Sequence, residues 1–411
     1  MPYSQARGSR RTNSRPSFSS NRGGGGGGGY RGGGSRGGGN RNRGKSIDPR
    51  MFVKKARPVE EVVYDTTNQF ADFGFGPELS KNLEGLGYIT PTPIQDQAIP
   101  HAMTGRDVLG IANTGTGKTA AFLLPLIEHV LANPKTATVL IIAPVRELAQ
   151  QIEAELAGFV KGTRIGYMSA IGGTPIGPQL RKLDQTPHFI IGTPGRITDL
   201  IERRAIPLRH ISAVVLDEVD RMLDMGFVDD VRAILQAMPE EKQSLFFSAT
   251  MSPEVSRLID TFMNDHITIS VKTQETSDNV EQDIVRVGYG MEKMDLLHDL
   301  LLKPEIEKVL VFGETKFGVE RLAKELSTRG FKADAIHGNK SQGQRSRTIE
   351  GFKRGDYSIL VATDVAARGL DIKGITHVIN YDLPQTYEDY THRIGRTGRA
   401  GKMGYSLTFV G

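Results

Sequence analysis

Several short stretches of this 411-residue chain carry residue types at spacings that can do chemistry. Ala112–Thr119 reads ANTGTGKT and follows the apolar run Val108–Ile111. Gly115 and Gly117, interleaved with Thr114 and Thr116, let backbone N–H groups turn toward a phosphate chain. Lys118 can neutralise β- and γ-phosphates, and the Thr119 hydroxyl suits Mg²⁺. A helix starting here would aim its positive end at a nucleotide. The strict pattern has Gly where Ala112 stands, so this is a variant phosphate loop. Asp217–Asp220, DEVD, closes a second apolar run 99 positions after Lys118. Asp217 is the candidate Mg²⁺ holder, partly through water. Glu218 can take a proton from water attacking a γ-phosphate. Alone, such a tetrapeptide reads equally well as a solvated acidic turn; behind a phosphate loop it reads as hydrolytic machinery.

Ser248-Ala249-Thr250 ends another apolar run, where open α/β sheets gather ligand groups. As a tripeptide it says little. By position, Ser248 and Thr250 could bridge Asp220 to a second domain. His392–Arg399, HRIGRTGR, sets Arg393, Arg396 and Arg399 within seven residues. Arginines supply the cationic stabilisation that phosphoryl transfer needs, worth ~10³–10⁵ in rate for a well-placed finger. An RNA contact or a structural role is the alternative, Arg393 being the strongest case for it.

Groups so far apart in sequence need rigid elements to collect them. Ala137–Pro144, Phe189–Pro194, Ala213–Asp217 and Ser244–Ser248 predict buried strands. Leu148, Ile152, Leu156 and Phe159 recur at helical spacing and predict a packed helix. The polar stretch Lys272–Asn279 (KTQETSDN) predicts a hinge. The alternation then restarts with Lys308–Phe312, Ala333–His337, Ser358–Thr363 and His377–Tyr381. The expected fold class is α/β with parallel sheets flanked by helices. Its expected domains are 68–271 and 280–411, joined by a linker at 272–279.

The remaining residues are of another kind. Residues 1–47 hold 15 of the 48 glycines, nine Arg, one Lys and no acid, a charge of +10. The other 364 residues then carry 42 basic and 47 acidic side chains, so a cationic tail sits on a mildly acidic body. Arg-Gly-Gly triplets begin at Arg22, Arg31 and Arg36, among Tyr3, Phe18 and Tyr30. Such a segment cannot bury enough apolar surface to offset its ordering entropy, and disorder is expected. Its arginines and aromatics suit phosphates and bases, the alternative being a solubilising linker. Residues 48–67 read as a connecting segment. The absence of Cys excludes disulfides and thiolate metal sites. No apolar run reaches the ~18–20 residues of a membrane span, and no apolar signal core opens the chain. A soluble, cytoplasmic protein without a membrane partner is the expectation.

In their order and spacing these stretches resemble the DEAD-box RNA helicases, superfamily-2 ATPases with two RecA-like domains. The resemblance runs from about Phe70 to Val410. Gly87–Gln95 (GYITPTPIQ) looks like the Q motif, within 68–96, with Phe70 at the upstream aromatic position. ANTGTGKT resembles motif I and Pro144–Leu148 (PVREL) motif Ia. Gly172-Gly173 and Thr193–Arg196 (TPGR) match RNA-contacting segments. DEVD and SAT match motifs II and III, and Phe312–Lys316 (FGETK) motif IV. Gln342–Arg345 (QGQR) follows, then Ala362–Ile372 (ATDVAARGLDI) as motif V and HRIGRTGR as motif VI. The resemblance implies ATP with Mg²⁺ as cofactors and RNA as partner. It implies Gln95 at the adenine edge, Phe70 on the base, Asp371 at the ribose, and Arg396 and Arg399 at the γ-phosphate. Asp220, Ser248, Thr250 and His392 would couple the domains. Pro144, Arg146, Gly172, Gly173, Thr193, Pro194, Gly195, Arg196, Thr315, Lys316, Arg345 and Thr363 would line an RNA path. Backbone phosphates and 2′-hydroxyls would be the main contacts there.

The sequence departs from the family pattern in three places. Val219 replaces alanine in motif II, where overpacking could cost about 1–3 kcal/mol or shift Glu218. Val145 replaces threonine in motif Ia. The chain stops at Gly411, after a predicted strand Tyr405–Val410, where family members continue into a helix covering the second domain. The implied activity is ATP-driven cleft closure with local unwinding of RNA duplexes or ribonucleoprotein remodelling. The alternative is an RNA-binding clamp or chaperone with weak ATP turnover.

Overall fold

Short apolar runs rich in Val, Ile, Leu and Phe, alternating with helices, form thirteen strands among the described residues of the computed structural model. Those residues are 47–56, 66–113, 115–135, 138–271, 276–367, 370, 372–398 and 402–411. Expectations for the tail before Ile47, for Thr114, Asp371 and Arg399, and for residues 272–275 of the hinge fall outside them.

The first sheet contains β1 (Val108–Ile111), β2 (Thr138–Ile142), β3 (Tyr167–Ala170), β4 (Phe189–Gly192), β5 (Ile211–Leu216), β6 (Gln243–Ser248) and β7 (Ile267–Ser270). Its order is β3-β4-β2-β5-β6-β1-β7, with every pairing parallel. The second contains β8 (Val280–Arg286), β9 (Val309–Phe312), β10 (Ala333–Ile336), β11 (Ile359–Ala362), β12 (His377–Asn380) and β13 (Gly404–Val410). Its order is β10-β11-β9-β12-β13-β8, again wholly parallel.

Parallel sheets bury both faces, so their strands read as continuous apolar runs. Along β2, Val139 and Ile141 enter one core while Leu140 and Ile142 enter another across the sheet. Val309 and Val311 of β9 likewise face one core, and Leu310 and Phe312 the other. Glu281, Gln282 and Asp283 hide β8 from the sequence pattern, and the short strands β3 and β7 are not predicted by it either. Tyr167, Ser169, Thr268 and Ser270 interrupt their apolar character, and pairing with β4 and β1 carries them into the sheet.

One feature departs from the expected organisation. The last residue of the expected tail and the first part of the connecting segment, together 47–56, lie along the second sheet: Lys54 makes an antiparallel bridge to Gln282 of β8, and Phe52 is completely buried. Among the described residues no helix is long and apolar enough to cross a membrane.

Candidate nucleotide and RNA site

The order β5-β6-β1 makes neighbours of the three strands whose C-terminal ends carry DEVD, SAT and the phosphate loop. Beyond β1, Gly115 and Gly117 take positive φ (86° and 93°), turning the backbone so that helix Lys118–Ala132 starts at once. Gly117 has a second reason to be glycine, since a Cβ there would lie 2.5 Å from Gln95 Nε2. Thr116 Oγ1 ties the loop internally to the Asn113 carbonyl at 2.8 Å. Gln95 holds it from outside: its amide donates to the Gly117 carbonyl (3.0 Å) and its side-chain oxygen accepts from Thr92 N (2.8 Å). Phe70 is buried, edge-on to Phe73 and Tyr88 at 5.8 and 5.3 Å. Thr119 is half-buried in the first turn.

Lys118 Nζ stands 3.9 Å from Asp217 Oδ1, both buried, and neither atom has a hydrogen-bond partner among the described residues. Buried charges left without hydrogen bonds are costly unless a ligand completes them. A triphosphate oxygen for Lys118 and a divalent cation for Asp217 and Thr119 fit that need. Burial raises the Asp217 carboxyl to about 6, against the pull of Lys118. Glu218 goes the other way. Burial works against its charge, yet Arg221, Lys118 and Arg396 together hold it below the usual carboxylate range. Arg221 Nη1 donates to Glu218 Oε2 at 2.8 Å, and Glu218 itself sits at φ 56°, an uncommon backbone for a non-glycine residue. Val219 is buried in the apolar core cluster that also holds Leu216 and Met222.

Asp220 is anchored within its own sheet. Its Oδ2 accepts from Ala249 N, Thr250 N and Thr250 Oγ1 at 3.1, 2.8 and 2.9 Å. Its backbone N–H donates to Ser248 Oγ at 3.3 Å, and that hydroxyl donates to the Thr250 carbonyl at 2.8 Å. These bonds join the ends of β5 and β6. The bridge from SAT to a second domain, expected from sequence, is not among them.

The second sheet reaches this site through Arg396, whose charge acts on Glu218. Arg396 is buried and donates to the Leu370 carbonyl at 2.8 Å. Arg393 is structural: it grips Asp364 with two bonds of 2.6 and 2.8 Å and donates to the Asp382 carbonyl at 2.7 Å. His392 is half-buried beside Arg393 and Arg396 in a small cleft lined also by Phe312 and Asp364.

A second constellation gathers the residues expected along RNA. Arg146, the first residue of helix Arg146–Phe159, lies against Gly172 and Gly173, where a Cβ on Gly173 would collide with its guanidinium. Burial, Arg345 and Arg196 lower the Arg146 pKa, which marks a cluster of like charges suited to an anionic backbone. Pro144 is buried just upstream. Val145 caps that helix without a side-chain hydrogen bond. Thr193 and Pro194 start helix Pro194–Glu202, Gly195 is exposed, and Arg196 donates to the Thr174 carbonyl at 3.3 Å. Thr315 caps helix Lys316–Thr328 through Gly318 N, and Lys316 lies near Gly338. Thr363 is buried beyond β11.

Arg345 belongs to helix Gln342–Arg354, yet its Nε donates to Glu147 Oε1, 2.7 Å away on helix Arg146–Phe159, with both groups buried. Gln342 Nε2 adds a 3.0 Å bond to Gln150 Oε1. The cluster expected to line RNA therefore also ties the helices of one sheet to those of the other.

Comparison with known proteins decides the family. The DEAD/DEAH box helicase domain model matches residues 92–258, and the helicase conserved C-terminal domain model matches 292–401. A Geobacillus kaustophilus protein named DEAD-box ATP-dependent RNA helicase CshA is 47% identical over 342 residues, 83% of this chain and 73% of that one. The chain belongs to the DEAD-box helicase family. A Listeria monocytogenes ATP-dependent RNA helicase CshA is 46% identical over 343 residues, 83% of this chain but 66% of its own length. The chain thus spans about two-thirds of the length of such relatives. Among solved structures, S. cerevisiae Dbp5 bound to RNA and ADP BeF3 superposes with a TM-score of 0.73 at 31% identity, covering 83% of this chain and 89% of that one. Mss116p bound to single-stranded RNA and AMP-PNP gives 0.75 at 27% identity, covering 84% and 76%. The two sheets are therefore the RecA-like pair of this family.

Within that DEAD-box frame, sequence reading passed over Arg221, Glu147 and Gln342. Glu147 and Gln342 lie inside the PVREL and QGQR motifs, so their signal was present. Arg221, one residue past DEVD, carried only i,i+3 helical spacing from Glu218.

Proposed function

We propose that this DEAD-box protein is an ATP-dependent RNA helicase that couples ATP binding and hydrolysis to closure of its cleft, locally separating short RNA duplexes or remodelling ribonucleoproteins. The observation that carries the reading is one buried cluster in which Lys118, Asp217 and Glu218 of the first sheet meet the charge of Arg396 from the second.

Catalytic chemistry follows from that cluster. Lys118 and the backbone of Gly115–Lys118 bind and orient the phosphates, and Thr119 and Asp217 are the residues that would hold Mg²⁺. A Mg²⁺ ion there would neutralise phosphate charge as it develops. Glu218, held ionised by three neighbouring cations, accepts the proton of the attacking water. Arg396, together with Arg399, stabilises charge at the γ-phosphate, which requires both sheets to be in register. Gln95 and Phe70 complete the nucleotide pocket, and the family resemblance adds Thr114 and Asp371 as further nucleotide contacts. RNA runs over Arg146, Gly172, Gly173 and the TPGR turn, then over Thr315, Lys316, Arg345 and Thr363. Shape and backbone contacts of this kind recognise RNA without reading sequence.

The decisive test is Glu218→Gln in the full chain. It should retain ATP and RNA binding while RNA-stimulated phosphate release falls to background. Normal steady-state turnover would remove Glu218 as the base. ATP-independent strand annealing alone, with no ATP-dependent unwinding by the wild type, would favour the RNA clamp instead.

A further inference from the structure

We infer that the segment Ile47–Ala56 is a positioning element for the arginine motif, bracing the helix that delivers Arg396 to Glu218. The inference rests on the ATPase reading above and adds residues that no motif contains.

The helix in question, Tyr387–Ile394, has only eight residues. Helices below ~12–15 residues are marginal alone, so its placement is set by what it touches. Arg393 fixes one side by its paired bonds to Asp364. Tyr390 and Ile394, four residues apart and so on one face, have a different neighbour. They join Phe52, Val280 and Val410 in a separate apolar cluster. Phe52 is the part of it contributed from far away in sequence, and its ring lies 4.7 Å from that of Tyr390, centroid to centroid.

The segment is tied down at several points. Lys54 exchanges two backbone hydrogen bonds with Gln282 (3.0 and 2.8 Å), Lys54 Nζ pairs with Asp278 at 2.7 Å, and Ala56 N donates to Glu281 Oε2 at 2.7 Å. Gln282 closes the loop of contacts, because its buried side-chain oxygen accepts from the Tyr390 hydroxyl at 3.0 Å. One β8 residue therefore holds both the N-terminal segment and the helix. Two residues beyond Ile394 stands Arg396. Removing the Phe52 ring would open a cavity under Tyr390 and Ile394, and collapse into it would move Arg396 away from Glu218. The groups proposed for ATP on the first domain, Lys118, Gln95 and Phe70, would stay where they are.

The test uses RNA-stimulated ATPase kinetics of the full chain. Phe52→Ala should lower kcat at least about tenfold, toward the ~10²-fold loss that a 1 Å misplacement can cost. KM for ATP should change less than about twofold, because ground-state binding is untouched. Phe52→Leu, which refills most of the cavity, should recover most of kcat. In an Arg396→Ala background, Phe52→Ala should add no further loss. Tyr390→Phe keeps the ring but removes the hydroxyl's bond to Gln282 and its contacts with Ser406 and Thr408, and should lower kcat in the same direction by less. A folded Phe52→Ala protein with wild-type kcat would overturn the inference, as would a loss that simply adds to that of Arg396→Ala. Should Phe52→Ala fail to fold, wild-type kcat in Tyr390→Phe would overturn it equally. Arg396→Ala alone tests the underlying reading: full activity there would remove Arg396 from the γ-phosphate chemistry, and the brace with it.

Discussion

Lys118 Nζ and Asp217 Oδ1 face each other at 3.9 Å, both buried and neither hydrogen-bonded among the described residues, a costly arrangement that a bound nucleotide and its cation would relieve. If phosphate is the missing partner, Lys118→Ala should weaken ATP binding about 10- to 100-fold, the worth of a charge-assisted hydrogen bond. Titration with a fluorescent ATP analogue measures it, and unchanged affinity would count against the phosphate role. Arg221 and Glu218 pose a different problem. Removing one partner of a buried ion pair typically costs about 3–5 kcal/mol because the other charge is left stranded. Lys118 and Arg396 still attend Glu218, so Arg221→Ala should fall at the low end of that range. Denaturant unfolding of the variant, with Arg221→Lys as the partial rescue, checks this. Stability equal to wild type would mean that Glu218 does not depend on Arg221.

At the level of elements, the sheet order explains why so much of the site was legible. The motif-bearing ends of β5, β6 and β1 are adjacent only after folding, but each motif directly follows an apolar run, and that local signature survives in sequence. What sequence could not supply was pairing between distant polar groups. Glu147 and Arg345 are 198 positions apart and meet at 2.7 Å, and no periodicity encodes that. Phe52 and Tyr390 are invisible for the same reason: the three-residue apolar run Met51–Val53 between charged neighbours looks like a linker until β8 receives it. Strands β3 and β7 do not register because their alternate residues are polar, and β8 because Glu281, Gln282 and Asp283 break its apolar run. The Glu147–Arg345 pair leads to a prediction of its own. Both singly and doubly substituted variants, Glu147→Ala and Arg345→Ala, should weaken ATP-dependent RNA binding. A double-mutant cycle should give a coupling of about 1–3 kcal/mol, as expected for residues in direct contact. Zero coupling would mean that Arg345 serves RNA alone and that the pair does not contribute to closure.

At the scale of the whole molecule, the charges divide between a +10 tail and a body carrying 42 basic and 47 acidic side chains. An acidic body is compatible with RNA binding if the folded part grips by shape, through threonines, glycine backbone and a small arginine cluster. A tail rich in Arg and Gly would then contribute by a separate physical route, counterion release. Each phosphate neutralised on a single strand contributes about −0.7 to the log–log salt slope. Ten tail cations could thus add a slope of at most about −7 if every one reached a phosphate. Deleting residues 1–47 also removes Ile47, at the edge of the Phe52 cluster, so deletion of 1–45 is the cleaner comparison. The shortened protein should bind single-stranded RNA with a visibly shallower salt dependence, while ATP affinity and kcat at saturating RNA stay close to those of the full chain. Binding measured from low to moderate salt for both proteins reads the difference directly. Equal slopes would show that the tail arginines do not touch RNA. A fall in saturated kcat would instead tie the tail to the catalytic cycle, which charge attraction alone does not do.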